Sequence, residues 1–442
     1  MSPYIAFDIQ RDVIKRLPVK SLIRFRSVCK AWKSLIDSSE FISGYSVPQN
    51  QNHLLVKYEV GDRQETEFKC VCFVDDDTFP QQMFTPTVPP LLEQLKLWRI
   101  IGSSHGVLCF SYFLHRKNSD DWRESVTDMA ILWNPSIRKS IAVVVPVEPY
   151  FLSVLGFGVC PHTCDPILVY IRYISSTCDP REINCIPSQV MIFTLSSGEW
   201  SNLCGNLPRK SIIFTQSSTV IGQFIYWFAS DTVDVSWLEY RNLIVSFDMV
   251  SHEFIEIDLP ECLAHFRHAD IEYMQPSFSV SRLRESLVVL DYTYRDRRKV
   301  CVVWMMDHGD PKSFTKLFTI EAPDARIKRT LGFRRSGEPV IELEEEYGTF
   351  EGGLYFEDTL EEYGFEGRPY FEDTPAVYEP CTNHIIDIKD LEIYAATDSV
   401  FVNSYTESLL LLHEENDSIY SILRTEMTGV SLLLLLTCLI LL

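Results

Sequence analysis

A chain of 442 residues, 46% hydrophobic and 12% aromatic, can bury a large core and is not a disordered polymer. Its net charge of −21 argues against nucleic acid as a partner, because phosphates would be repelled. The charge is uneven: positions 1–45 carry eight Lys/Arg against four Asp/Glu, a local +4 that leaves −25 for the rest.

The chain opens on helical patterning. Ile5, Ile9, Val13, Ile14 and Leu17 form a short apolar stripe, and Pro18 interrupts it, since proline disfavours helix in the residue before it. Beyond it, Leu22, Phe25, Val28, Cys29, Trp32, Leu35 and Ile36 recur at a spacing that puts them on one face of a second, longer helix. The pattern predicts a helix, a break at Leu17-Pro18 and a longer helix. Some forty residues hold too little core to stand alone, so the apolar faces must meet something else.

Leu17-Pro18-Val19-Lys20-Ser21-Leu22, Arg24-Phe25, Val28-Cys29-Lys30, Trp32, Leu35-Ile36 and Phe41 occur in the order of the plant F-box, which the segment resembles. The resemblance implies docking on a Skp-type adaptor, and through it on a cullin ubiquitin ligase. The implied adaptor contacts are Ile5, Ile9, Leu17, Pro18, Leu22, Phe25, Val28, Trp32 and Leu35. The family opens its first helix with Leu-Pro; this chain has Ile5-Ala6, which implies a weaker contact there.

From Tyr45 the texture changes to short β-branched and aromatic runs bounded by Gly, Pro, Asn, Asp and Ser. Leu54–Val60 and Phe68–Val74 are the first pair, followed by a polar, Pro-rich connection from Asp75 to Pro90. A unit then recurs, with a strand near a Gly, a later apolar strand, a polar turn and an aromatic. Landmarks Trp133, Phe193, Phe247 and Trp304 are 60, 54 and 57 residues apart, a period that predicts β-propeller blades. The next landmark, Ile386, comes 82 residues after Trp304. The excess lies in a tandem duplication, where Tyr355-Phe-Glu-Asp-Thr359 recurs as Tyr370-Phe-Glu-Asp-Thr374. The segment Glu342–Glu379 has thirteen acids, one base and nine aromatics, and reads as a solvated acidic loop or a surface for a basic partner. A propeller must join its ends or leave sheet edges open, so Val400–Leu412 is predicted to pair with strands of the Leu54–Val74 region.

Little reads as chemistry. Thirteen cysteines, an odd number, with no signal-like stretch in Met1–Gln10, fit reduced thiols in the cytoplasm, the nucleus or both. Cys160-Pro-His-Thr-Cys164, even with Cys178 and Cys185, matches no standard zinc spacing and reads as cysteines flanking a turn. His265 and His268 read as a polar loop. No phosphate loop, nucleophile elbow or HExxH motif occurs, so no cofactor, metal or catalytic residue is expected. Val430–Leu442 is uncharged and apolar but shorter than a bilayer span, which leaves a tail anchor as an alternative to a buried segment.

The body, too, has family motifs: His105-Gly-Val-Leu-Cys109, Trp133-Asn-Pro-Ser-Ile-Arg-Lys139, Gly156-Phe-Gly158, Phe247-Asp248 with Phe254, Val303-Trp-Met305, Phe314-Thr-Lys-Leu317, Leu331-Gly-Phe333 and Tyr405-Thr-Glu-Ser-Leu409. They resemble the F-box-associated domain of plant F-box proteins, a kelch-like propeller that acts as the substrate-binding end. The expected class is thus α+β and multidomain. A small all-α module (1–45) precedes an all-β propeller-like body (46–412), with the acidic insertion at about 342–379 and a divergent tail (413–442). The function this implies is the substrate receptor of a Skp–cullin–F-box ubiquitin ligase, holding an unknown protein target. The alternative is a carbohydrate-binding, small-ligand-binding or enzymatic propeller with no ligase link.

Overall fold

The computed structural model describes residues 6–45, 53–61, 66–80, 82–89, 92, 98–114, 127–146, 153–174, 186–203, 209, 211–232, 240–264, 278–295, 298–307, 313–322, 325–349, 369–388, 400–414 and 418–420. The N-terminal module is four short helices: α1 (Phe7–Ile14), α2 (Val19–Phe25), α3 (Lys30–Ile36) and α4 (Ser39–Ser43). The break at Leu17-Pro18 is present, with Pro18 as the extended residue before α2. The longer helix is not continuous, which corrects the sequence expectation. Cys29 is extended (φ −157°, ψ 160°), and its Sγ accepts the Trp32 amide at 3.4 Å, so it caps a new helix. The apolar period continues across this cap, but the chain turns there. Val28 and Cys29 therefore face solvent instead of the shared face.

Six sheets follow as the blades of a propeller, each built on four antiparallel strands, with a fifth strand added to one of them. Blade 2 is β4 (Trp98–Ser104), β5 (Val107–Leu114), β6 (Thr127–Asn134) and β7 (Lys139–Val145). Blade 3 is β8 (Ser153–Val159), β9 (Pro166–Ile174), β10 (Ile186–Thr194) and β11 (Glu199–Asn202). Blade 4 is β12 (Ile212–Ile221), β13 (Phe224–Thr232), β14 (Tyr240–Asp248) and β15 (Glu253–Asp258), after which comes a turn of helix, α5 (Glu261–Ala264). Blade 5 is β16 (Phe278–Leu283), β17 (Ser286–Arg295), β18 (Arg298–Met306) and β19 (Phe314–Ile320). Blade 6 is β20 (Arg326–Phe333), β21 (Pro339–Thr349), β22 (Pro369–Glu379) and β23 (His384–Asp387).

Blade 1 is assembled from both ends of the body. Its β1 (His53–Gly61), β2 (Thr66–Val74) and β3 (Gln82–Phe84) are joined by β24 (Phe401–Tyr405), antiparallel to β1 from Lys57↔Phe401 to His53↔Tyr405. This is the predicted ring closure, confined to five residues of the Val400–Leu412 stretch. The connection from Asp75 to Pro90, read as polar, contains β3 and also buries Val88. In the tail, β25 (Ser418–Tyr420) runs parallel to β7 as a fifth strand on the rim of blade 2.

The innermost strands β4, β8, β12, β16, β20 and β24 pack successively around the axis. β12 bulges between Phe214 and Ser218 and reaches β4 as well as β8, with Ser218 Oγ 3.4 Å from the Ile101 carbonyl oxygen. Neighbouring blades share cores, one holding Trp227 and Phe247 and another Trp133 and Phe110. Tyr173 Oη accepts the Phe214 amide at 2.9 Å, and Tyr292 Oη accepts that of Thr330 at 2.9 Å, which ties blade 3 to 4 and blade 5 to 6. Arg334 ties blade 6 to blade 1 through Asp75 (3.1 Å) and the Phe79 ring (4.3 Å).

The repeat landmarks fall on third strands. Trp133, Phe193 and Phe247 each sit one row before the turn to the fourth strand. The aromatic past the turn packs back as expected, with ring centroids 5.6 Å apart for Phe193–Trp200 and 5.0 Å for Phe247–Phe254. In blade 6 the equivalent residue is Tyr378, opposite Ile385, so Ile386 lies on the fourth strand and not the third. The duplication accounts for the slip. Its second copy, Tyr370–Thr374, does not form a loop: it pairs with the stretch from Leu343 to Tyr347 as the far end of the β21–β22 hairpin. Residues 350–368 of the expected loop lie outside the described residues.

Candidate functional site

The helical module has two apolar faces. The inner one contains Ile14, Val19, Leu22, Ile36 and Phe41, all buried together with Leu409 and Leu412 from the chain that follows β24. Trp32 Nε1 donates to Gln10 Oε1 at 3.0 Å, and its ring lies tilted against Phe25 (5.1 Å), which locks α3 to α1 and α2. Arg26 grips Asp37 with two bonds of 2.6 and 3.1 Å across the α2–α3 break. Tyr45 Oη donates to the Leu17 carbonyl at 2.8 Å, and its burial near Glu407 pushes the phenol pKa up.

The outer face is the unusual one. Phe7, Ile9, Val13 and Val28 are 48, 57, 57 and 61% exposed, although their residue types belong in a core. Ile9 and Val13, one turn apart, share a face of α1. Trp32, Phe25, Leu17 and Leu35 are half-buried at its edge. Ile9 and Val13 thus leave an apolar stripe of α1 open to water.

The nine residues expected at the adaptor contact therefore divide. Ile9 and Val28 lie open on the outer face, Pro18 is exposed, and Leu17, Phe25, Trp32 and Leu35 are partly accessible. Leu22 is fully buried in the inner core, where a partner cannot touch it unless the helices open. Ile5 lies outside the described residues. Phe7 and Val13 are exposed as well, though the sequence motif did not single them out. Val13 did appear in the apolar stripe, but a stripe alone does not tell which side the body will cover.

What covers the inner face is a strap, residues 405–414, that leaves β24 and crosses the rim of blade 2. Asn134, fully buried, donates from Nδ2 to the carbonyls of Ser408 (3.1 Å) and Leu410 (2.8 Å). Lys139 Nζ donates to the Leu412 carbonyl at 2.9 Å and to that of Glu414. Ser136 Oγ and Tyr405 Oη share a short hydrogen bond. Glu407 accepts the Val19 amide at 3.2 Å, and burial holds its carboxyl above the ordinary carboxylate range, partly offset by that amide. Gly106, at φ +76°, lies beneath, where a Cβ would come within 2.2 Å of the Thr406 carbonyl oxygen. The HGVLC, WNPSIRK and YTESL stretches, far apart in the chain, thus meet at one junction.

Elsewhere, Cys160 and Cys164 close the β8–β9 turn through the Cys164 amide and Cys160 carbonyl (2.8 Å), as the turn reading expected. Cys178, Cys185, His265 and His268 lie outside the described residues. Among the described residues no group of three or more His, Cys, Asp or Glu is placed to hold a metal. No helix among them is long and apolar enough to cross a membrane, and 421–442 lie outside them.

Residues 6–43 match the F-box domain family. F-box protein CPR1 of Arabidopsis thaliana is 24% identical over 340 residues, 72% of this chain and 73% of that protein. A second Arabidopsis F-box protein is 25% identical over 271 residues, 58% of this chain and 60% of its own length. Among solved structures, a Hadza microbial sialidase overlaps 72% of this chain and 65% of its own at 9% identity, with a TM-score of 0.39.

Proposed function

We propose that this chain, an F-box domain followed by a six-bladed β-propeller, is the substrate-recognition subunit of a Skp–cullin–F-box ubiquitin ligase. The helical module docks a Skp-type adaptor, and through it a cullin. The propeller holds the protein to be ubiquitinated, and the chain itself performs no catalysis. It works in the cytoplasm, the nucleus or both.

The observation that carries this reading is the split of the helical module. Its inner face is consumed by the strap and blade 2, while Phe7, Ile9, Val13 and Val28 stay in water. Leaving such side chains about half exposed forgoes roughly 1 kcal/mol each, a cost that makes sense where a partner buries them. An adaptor that buries Ile9 and Val13 in an apolar groove recovers that energy. The test is co-purification of the full chain with a plant Skp-type adaptor and cullin. Stoichiometric recovery supports the reading. Recovery no better than with the propeller alone rejects it.

A further inference from the structure

We infer that the strap, residues 405–414, is a rigid coupler that fixes the orientation of the helical module on the propeller, with Asn134 as its positioning residue. The inference rests on the ligase reading only for its consequence: the coupler sets where a held target stands relative to the docked adaptor.

The strap divides four consecutive leucines between the two bodies. Leu409 and Leu412 enter the core of the helical module, whereas Leu410 and Leu411 enter the core shared by blades 2 and 3. One short stretch is thus glued on both sides, and the module cannot swing without stripping apolar surface from water-free contacts. Past Tyr405 the strap is no longer in a sheet, so its carbonyls need donors from elsewhere. A single turn of blade 2 supplies them. Asn134 serves two of those carbonyls and lies 3.1 Å from Ser408 Oγ, and Lys139 serves two more. Asn134 is held in place for this task, because its Oδ1 accepts the Ser136 amide at 3.0 Å. The amide group is therefore fully employed, with Oδ1 turned to its own turn and Nδ2 to the strap. On the opposite side, the Glu407–Val19 bond ties the strap to the first turn of α2.

Asn134→Asp separates the two roles. The carboxylate keeps the acceptor for Ser136 but turns the donor end into an oxygen that repels the carbonyls of Ser408 and Leu410. Lys139→Met removes the second clamp without adding charge. Both variants are made in the full chain and examined by hydrogen exchange, small-angle scattering and adaptor binding. The coupler predicts at least about tenfold faster exchange in 406–412 and in α1–α4, while β12 and β16 keep their protection. It also predicts a broader pair-distance distribution and adaptor affinity within about twofold of the parent. For Asn134→Asp, the broadening recedes as pH falls and the carboxyl regains a proton to donate. Unchanged exchange and scattering in both variants would overturn the inference. So would loss of protection in all six blades, because the strap would then be part of the ring and not a separable coupler. Failure of the parent chain to bind adaptor would reject the ligase reading and leave the exchange and scattering results standing.

Discussion

Gly106→Ala probes the junction with a single methyl group. At φ +76° an alanine is strained by about 1–2 kcal/mol. The larger effect is steric. The new Cβ would lie 2.2 Å from the Thr406 carbonyl oxygen and 3.0 Å from Ser408 Oγ. Restoring ordinary van der Waals separation pushes the strap back by about 1 Å. The Asn134 bonds to Ser408 and Leu410, now 3.1 and 2.8 Å, then pass beyond hydrogen-bonding range, at about 1 kcal/mol each. The sum is about 3–4 kcal/mol, which for a chain of this size is a melting-temperature fall of about 3–5 °C. Gly222→Ala is the control. It sits in the equivalent turn of blade 4 at φ +58° with nothing within 4 Å of its Cβ, so only the backbone term applies. Differential scanning calorimetry of the two variants decides: equal falls would refute the steric reasoning at the junction.

Leu22→Ala should cost about 2–5 kcal/mol and speed amide exchange throughout α1–α4 while the blades stay protected, since Leu22 is core and not surface. Glu407→Gln should raise the melting temperature at pH 7. The folded-state pKa of Glu407 is raised, so its stabilising contribution is full below the ordinary value of 4.5 and lost as pH rises through the folded value. Glutamine keeps the acceptor for Val19 and should flatten that decline in a pH series of melts. Deleting 350–368 and closing the hairpin with a short turn should leave the melt nearly unchanged, because loop length costs only about 0.6 kcal/mol per doubling. Extending the deletion through Thr374 removes paired rows of β22 and should lower it clearly. Truncation before Val400 removes β24 and opens blade 1, and the product should precipitate, as sedimentation would show.

The propeller was legible because blades two to four repeat one local grammar. A third strand ends in a buried aromatic, a polar turn follows, and the next strand packs back, all within about ten residues of chain. Blade 1 was harder, since its inner strand comes from the other end of the body, and only the need to close the ring pointed to it. In blade 6 the second acidic copy is a paired part of the third strand and not loop, and the landmark Ile386 falls one strand further on. In the helical module the apolar period runs on through Val28 and Cys29, and nothing in it marks Cys29 as a cap. The exposure of Ile9 and the burial of Leu22 depend on which side the strap takes. That side is chosen by Asn134, more than two hundred residues away in sequence from the leucines it holds. Motif resemblance located these residues, but their physical work became visible only once the strap lay across them.

The most direct test of the account is calorimetric titration of a plant Skp-type adaptor into the full chain and into the double variant Ile9→Asp, Val13→Asp. Both side chains are more than half exposed, so the substitutions should leave the melting temperature within a degree or two of the parent. The account predicts saturable binding by the parent and at least about a hundredfold loss in the variant, from two desolvated carboxylates in an apolar contact. Equal affinity for both chains, or no binding by the parent, would contradict it.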